Sequence, residues 1–356
     1  MPAFARTIGI DYSGAKTPTG SLKGLRIYLA NGEAPPIEVQ PLPSAKKYWT
    51  RRDIAEWLVA RLTDDIPTLV GIDHGFSFPL RYFEVHHLLR DWPTFLDDFQ
   101  RHWPTDEYHT YDDFVSDGVH GNGAARMGNT RWRRLTEERT TGAKSVFHFD
   151  VQGSVAKSTH AGIPWLRFIR GRIRSKVHFW PFDGWDIPAG RSAIAEVYPA
   201  LWSRSFATEG RTPDQHDAYS IAAWLSHADR DGTLTGFFKP GLTSPERAVA
   251  QVEGWILGVP GPIRAGTRRT GPSSSSFENN SIRKERTQTM KTTEPGHKSK
   301  NEQVVVRNTD KPGNDHNQIA HVLRCIRCQN EYGANRSDIW QRRCPTCHGG
   351  AKGLSF

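Results

Sequence analysis

Two short apolar runs in the N-terminal part of the chain each end in an aspartate. Residues 6–14, RTIGIDYSG, deliver Asp11 to a glycine turn, and residues 68–73, TLVGID, end in Asp73. A buried strand that ends in a carboxylate puts a charge at the carboxyl edge of a sheet, where open α/β folds bind their ligands. For Asp11 alone, an equally good interpretation is a turn in which its side chain bonds the neighbouring backbone.

The rest of the hydrophobic pattern predicts further strands and helices. The predicted strands are 25–29, 37–39 and 192–199. The predicted helices are 51–62, 213–227 and 244–257, and residues 80–120 are predicted to be helical and acidic. Asp214 and Asp217 lie one turn apart and share a helix face, and Glu196 sits among apolar neighbours in its strand. Ser244 is the expected N-cap of the last helix. We expect an α/β domain over residues 1–258, with a mixed sheet flanked by helices.

The region 121–180 shows no clear hydrophobic period, and we interpret it as a basic insertion between sheet strands. Residues 126–176 hold twelve bases against three acids, whereas residues 84–117 hold nine acids against two bases. The residues expected to bind phosphates are Arg131, Arg133, Arg134, Arg170, Arg172 and Arg174.

The net charge of +9 resides in the C-terminal part of the chain. Residues 1–260 hold 30 basic and 30 acidic residues, and residues 261–356 hold 17 and 8. A basic tail and a basic internal segment together favour a polyanionic partner, with nucleic acid, DNA or RNA, first. The alternative is a solvated surface of mixed charge.

All four cysteines lie near the C-terminus, in two CxxC pairs separated by 15 residues: Cys325, Cys328, Cys344 and Cys347. This spacing predicts a tetrahedral zinc site. Four cysteine ligands leave no open position, so the Zn²⁺ is expected to be structural. A redox pair and an iron site are the alternatives, and His348 is interpreted as a bystander.

The pattern predicts a flexible linker over residues 259–318 and a zinc ribbon over residues 319–356, with a hairpin in 329–343. The linker is poor in apolar residues and rich in Ser, Thr, Asn, Lys, Arg and Pro, and its only strand-like part is 304–306. Basic residues around the ribbon, with Tyr332 and Trp340 for stacking on bases, favour nucleic-acid binding. Docking of a protein partner through the ribbon is the alternative.

The chain lacks the signals of several other protein classes. No run approaches the roughly 18 apolar residues of a membrane span, and the N-terminus shows no signal-peptide pattern. We therefore expect a cytoplasmic protein without membrane contact. No Walker motif or dinucleotide fingerprint is present.

Five carboxylates carry the candidate chemistry: Asp11, Asp73, Glu196, Asp214 and Asp217. Unpaired acids at the ends of apolar strands cost several kcal/mol if buried, so stability explains them poorly. Divalent cations between them would compensate that cost, and Mg²⁺ or Mn²⁺ prefers such hard oxygen ligands. Two ions about 4 Å apart can promote phosphodiester cleavage without a Ser, Cys or His nucleophile.

The order of these elements resembles the ribonuclease H-like fold. The motifs IGIDYSG, GIDHGFSFP, AEVYPALW and DQHDAYSIAAWL resemble those of the "domain of unknown function 429" family, which is thought to be nuclease-like. The helix motif is also similar to the terminal acidic helix of RuvC-type junction resolvases. The resemblance covers about residues 5–230. It implies Asp11, Asp73 and Asp217 as magnesium ligands, with Glu196 and Asp214 completing a catalytic site.

Here the middle strand is followed by His74 and Gly75, with proline only at position 79, whereas family members commonly have a small residue and proline directly after the aspartate. The first motif also resembles the first phosphate loop of ATPases of the actin, heat-shock-protein and sugar-kinase type. Residues 118–123 are glycine-rich but unlike the second loop of those ATPases. We expect a metal-dependent nuclease; a non-catalytic adaptor that binds nucleic acid or protein is the alternative, and an ATPase is third.

Overall fold

The computed structural model describes residues 3–14, 16–41, 46–149, 154–261, 293–299, 301–312, 319–335, 339 and 342–354. The chain forms two compact units, Met1–Arg269 and Thr270–Phe356. Within the described ranges, no helix has the length and apolar character needed to cross a membrane.

The first unit is built on a six-stranded mixed sheet with the order β3-β2-β1-β4-β6-β5. The strands are β1 Arg6–Tyr12, β2 Leu25–Asn31, β3 Ile37–Glu38, β4 Thr68–Asp73, β5 Val177–Trp180 and β6 Ser192–Glu196. The first three strands form an antiparallel meander, and β1, β4, β6 and β5 run parallel to one another. The carboxyl ends of these four strands therefore share one edge of the sheet.

Helices cover both faces of the sheet. They are α1 Arg51–Leu62, α2 Leu80–Val85, α3 Trp92–His102, α4 Asp112–Ser116, α5 Leu135–Arg139, α6 Ala156–Ile173, α7 Pro213–Arg230, α8 Leu234–Phe238 and α9 Ser244–Glu253. Because side chains alternate along a strand, Ile8 and Ile10 join the hydrophobic cluster of α1 and α6. The opposite face packs against α7 through residues such as Leu69 and Ala195.

Two glycines let α7 lie directly on the middle of the sheet. Gly9 and Gly71 are partners in adjacent strands, and a Cβ atom on Gly9 would overlap the backbone of α7 at Ala218 and Ala222. The hydroxyl of Thr7 donates to the carbonyl of Ala222 at 3.0 Å. The helix thus runs antiparallel to β1, and its first turn reaches the carboxyl edge.

The prediction that residues 121–180 form an insertion is wrong for their second half. Helix α6 packs against α1, and β5 is a strand of the sheet. The helix is buried on most of its circumference, and its buried residues include Thr159, His160 and Gly162. Polar and small residues in buried positions erase the apolar period that normally marks a helix.

The last helix of the first unit differs in its ends. Thr243, not Ser244, is the N-cap, and its side chain accepts a hydrogen bond from the backbone of Glu246. The helix ends at Glu253 because Gly254 adopts φ of 84°, a left-handed conformation that glycine tolerates best.

The second unit contains a three-stranded antiparallel sheet in the order β7-β8-β9, with β7 Gln303–Pro312, β8 Ile319–Cys325 and β9 Glu331–Asn335. The predicted linker, 259–318, therefore includes a strand, and its part at 262–292 lies outside the described residues. The second half of β7 is polar, and Arg307, Asn308, Asp310 and Lys311 are exposed, so its composition resembles that of a linker. In the predicted hairpin 329–343, β9 pairs instead with β8 across the first CxxC pair, and residues 336–338, 340 and 341 lie outside the described residues.

Candidate functional site

Four aspartates gather where the carboxyl edge of the sheet meets the start of α7. Asp11 and Asp73 are register partners in β1 and β4, and they project to the same face as Gly9 and Gly71, the face that α7 covers. Asp214 and Asp217 lie in the first turns of α7. Thr212 and Gln215 form a capping box there, and Pro213 occupies the first helical position, so the sequence fixes the helix start firmly.

The electrostatics of this acidic cluster (Asp11, Asp73, Asp214 and Asp217) differ from those of ordinary surface carboxylates. Burial raises the pKa of Asp11 to about 8; hydrogen bonding by Ser13 opposes the shift, and the charges of Asp214 and Asp217 add to it. Burial, followed by the charges of Asp11, Asp217 and Glu196, raises the pKa of Asp73 well above its ordinary value. Burial also raises the pKa of Asp217, with His216 opposing and Asp214 adding to the shift.

No member of the acidic cluster has an ion-pair partner in the described part of the chain. The only hydrogen bonds found there are those that Asp11 accepts from Ser13, at 2.6 Å from its hydroxyl and 3.1 Å from its backbone N–H. This contact agrees with the capped-turn interpretation of Asp11 and does not supply positive charge. The carboxylate oxygens of the cluster are more widely spaced than the sulfur atoms of the four cysteines. Among the described residues, only those cysteines have ligand atoms close enough together to hold one metal ion.

Glu196 does not join the acidic cluster, contrary to the prediction from sequence. It is the register partner of Ile72, so its side chain projects from the sheet face opposite to that of Asp11 and Asp73. Both of its oxygens accept hydrogen bonds from Arg134, at 2.6 and 2.7 Å, and one also accepts from the backbone of Phe76 at 3.2 Å. A carboxylate paired in this way is not available as a metal ligand.

Two of the six arginines predicted to bind phosphates are buried. Arg134 is 1% exposed and pairs with Glu137 as well as Glu196. Arg170 is 8% exposed and forms a two-point ion pair with Asp183. The prediction is wrong for both residues, because their guanidinium groups neutralise internal carboxylates.

The other four predicted arginines are exposed but do not surround the acidic cluster together. Arg172 and Arg174 directly precede β5 and so lie at its amino end, the edge opposite to the cluster. Arg133 donates to the backbone oxygens of Glu137 and Ala143, and Arg131 is exposed. Phosphate binding by these four residues stays a prediction.

Sequence reasoning missed two polar residues beside Asp73. Tyr198 and Lys144 line a cavity of about 20 Å³ together with Asp73 and Glu196. The pKa of Tyr198 is raised by burial and then by the charges of Asp73 and Asp217. Tyr198 lies within the motif AEVYPALW, which offered a signal, whereas nothing in the sequence around Lys144 pointed to this position.

The four cysteines are positioned to hold a metal ion. Their Sγ atoms all lie within 4.8 Å of one another, and the pairs Cys325–Cys347 and Cys328–Cys344 are each 3.5 Å apart, too far for disulfides. In both CxxC turns, the backbone N–H of the residue four positions after the first cysteine donates to that cysteine's carbonyl, from Gln329 to Cys325 and from His348 to Cys344. The two turns are thus local copies of one knuckle.

Tyr332 is not available for base stacking, contrary to expectation. It is 3% exposed, and its hydroxyl donates to the side chain of Gln303 at 2.9 Å. Trp340, the other residue predicted to stack on bases, lies outside the described residues.

Comparisons of the chain with family models, with curated proteins and with solved structures gave no match.

Proposed function

We propose that the first unit is a divalent-metal-dependent nuclease, in which Asp11, Asp73 and Asp217 bind Mg²⁺ or Mn²⁺ and Asp214 supports them. The observation that carries the proposal is the convergence of four carboxylates. Three of them have raised pKa values, and none has a cationic partner among the described residues. Burying a carboxylate without a cationic partner costs free energy. Bound divalent cations would offset that cost. Glu196 is not one of the proposed metal ligands, because it is paired with Arg134.

The residues of the cluster suit a reaction on phosphodiesters. Two metal ions, when bound, would activate a water and stabilise the leaving oxygen. The aspartates come from two strands and one helix, and such rigid elements hold ligands more precisely than loops do. Ser13 holds one oxygen of Asp11 in place. Tyr198 lines the same cavity as Asp73 and would contribute a hydroxyl group beside the ions.

The topology of the first unit supports the comparison with the ribonuclease H-like fold. An antiparallel meander, a helix and then parallel strands follow one another along the chain. The acidic helix α7 comes after the last strand of the sheet and packs against β1. Fold alone does not establish activity, so the proposal depends on the acidic cluster rather than on the topology.

Zinc is the metal that we assign to the four cysteines. Tetrahedral Zn²⁺–thiolate geometry, with bonds of about 2.3 Å, requires Sγ–Sγ distances of about 3.8 Å, close to the separations of 3.5 Å described above. The hydrophobic cluster of the second unit is small, with residues such as Val305, Leu323 and Tyr332. Metal binding would therefore supply much of its folding free energy.

A non-catalytic adaptor is the second candidate function. Arg134 forms an ion pair with Glu196. Glu196 is one of the residues that the resemblance implies for the catalytic site. If that position is essential, the acidic cluster is a remnant and the unit binds nucleic acid or protein without cutting it.

The test is cleavage of single-stranded, duplex and branched DNA and RNA in Mg²⁺ or Mn²⁺. The full-length protein is compared with Asp11→Asn, Asp217→Asn and the matched control Asp65→Asn, which removes an exposed carboxylate outside the cluster. We expect loss of cleavage by at least about a hundredfold in the first two variants only, since metal ligands act in the transition state. Binding without any metal-dependent cleavage by the wild type would instead support the adaptor.

A further inference from the structure

A cleft of about 420 Å³ lies beside the cysteine cluster in the second unit. It is lined by Asn301, Glu302, Arg327, Arg343 and His348. Arg327 belongs to the first knuckle, Arg343 and His348 flank the second pair of cysteines, and the other two residues form the turn before β7. Three separate segments thus contribute to one polar depression.

Glu302 compensates only part of the positive charge at this cleft. Its carboxylate accepts from Nε of Arg327 at 2.6 Å, and its backbone oxygen accepts from Ile326 at 3.0 Å, so the turn is fixed to the first knuckle. In the part of the chain that is described, Arg343 and His348 form no ion pair. Lys298 is a further cation near enough to act on Glu302.

The metal centre has to be counted as well. Four thiolates with one Zn²⁺ carry a formal charge of −2, and Arg327 is close enough to interact with Cys325 and Cys347. Arg327 therefore faces both Glu302 and the metal centre, whereas Arg343 extends from the second knuckle as an exposed guanidinium. Arg343 is the side chain with the most capacity to bind an external anion.

We propose that this cleft binds phosphate groups of a nucleic-acid backbone, with Arg343 as the principal contact. Guanidinium groups match phosphate oxygens in a two-point geometry, and nucleic acid is the polyanion that the basic C-terminal part of the chain favours. The inference deepens the proposed function by naming a second contact for the same class of substrate, and it rests on nucleic acid being that class.

The position of the cleft also assigns the metal a role beyond stability. Its two cationic sides belong to different knuckles, which are held together by the four cysteines. Removal of the metal would separate Arg327 from Arg343, although neither residue is a ligand. Phosphate binding at the cleft is therefore expected to require the metal.

The experiment measures fluorescence anisotropy of a labelled single-stranded oligonucleotide and its duplex, with full-length Asp11→Asn protein as the non-cleaving background. We expect Arg343→Gln to weaken binding roughly tenfold at low salt and to lower the slope of log Kd against log salt by about one. Arg343→Lys, which keeps the charge and loses the two-point geometry, should weaken binding about threefold. Lys352→Gln is the control, because it removes an equal, exposed charge outside the cleft.

Each variant is first checked for one bound zinc. If Arg343→Gln has lost its zinc, Arg343→Lys is used as the test variant instead. Equal weakening by Arg343→Gln and Lys352→Gln would mean diffuse attraction and would overturn the proposal, as would no weakening by either. Competition by polyglutamate as strong as by unlabelled oligonucleotide would assign the cleft to an acidic protein instead. Because the readout is binding, failure of the nuclease proposal leaves this test intact.

Discussion

Buried carboxylates at the carboxyl edge of the first sheet are of two kinds, and substitution should separate them. In the described part of the chain Asp11 has no cationic partner, and burial raises its pKa to about 8. Because this folded-state pKa lies above the unfolded value, the protonated carboxyl group contributes stability at low pH. That contribution is lost as pH rises from about 4 to 8. Without divalent ions at pH 7, Asp11→Asn should therefore raise the free energy of unfolding, by roughly 2–4 kcal/mol.

Glu196→Gln should have the opposite effect, because it leaves Arg134 buried beside a neutral group. Breaking one partner of a buried ion pair costs roughly 3–5 kcal/mol. Thermal unfolding with and without Mn²⁺ checks both variants, and Mn²⁺ should stabilise the wild type but not Asp11→Asn. Destabilisation by Asp11→Asn would show that this carboxylate is a structural cap rather than part of an ion site.

His160 should make the stability of the first unit depend on pH on the acid side of neutrality. It is 1% exposed and packed in tilted or edge-on contacts with aromatic rings such as those of Phe78, Trp103 and Phe149. Burial lowers its pKa to about 4, against a weaker opposing hydrogen bond to Ala156. Between pH 6.5 and about 4 the unfolded chain binds a proton that the folded chain does not, so the unfolding free energy falls as pH falls.

The size of this effect is about 3 kcal/mol over that interval. The variant His160→Phe should lose that part of the slope, whatever its absolute stability. Chemical denaturation at a series of pH values measures the difference between the two slopes. Parallel stability curves for the variant and the wild type would contradict a neutral buried His160.

At the scale of elements, the contact between α7 and the sheet is the most sensitive point of the first unit. A methyl group on Gly9 would come within 2.5 Å of the backbone nitrogen of Ala222, and backbone cannot move aside as a flexible side chain can. We expect Gly9→Ala to lower the free energy of unfolding by about 3 kcal/mol or more and to displace Asp214 and Asp217 with the helix.

Gly171→Ala in α6 is the control, since that Cβ meets nothing within 4 Å. This variant should raise the free energy of unfolding by about 0.5–1 kcal/mol. Thermal unfolding decides, and similar melting temperatures for both variants would rule out the close contact.

Local signals identified most elements but not all of them. Strong patterns mark the strands of Asp11 and Asp73 and the helix that begins at Pro213, and the structure has elements there. The two CxxC pairs also carry a strong pattern, and the four cysteines lie together. Helix α6 was missed because many of its buried residues are polar or small. Strand β7 was recognised only at 304–306, because its second half is polar and largely exposed. Glu196 was misassigned because the sequence gives neither the register of β6 nor the identity of Arg134 as its partner.

At the scale of the whole molecule, the division into two units was predictable, while their limits were not. The shift in charge and the cysteines place a separate module at the C-terminus. The predicted ribbon began at residue 319, but Gly296 donates to Val305 and His297 accepts from it, so the unit starts before β7. Such non-local pairing has no local sequence signal, because it depends on which strand a polar segment meets.

The second unit should fold only with its metal. Its buried side chains include Cys325 and Cys344, so removal of the ion would leave a small core with two thiols that lack their partners. We expect Cys344→Ser to reduce bound zinc from one equivalent to none, and a chelator to expose residues 319–335 to amide hydrogen exchange. His348→Ala is the control and should keep one zinc, because four thiolates already complete the tetrahedron. Metal analysis and exchange mass spectrometry provide the two measurements. Zinc retained by Cys344→Ser, or lost by His348→Ala, would contradict a four-cysteine site.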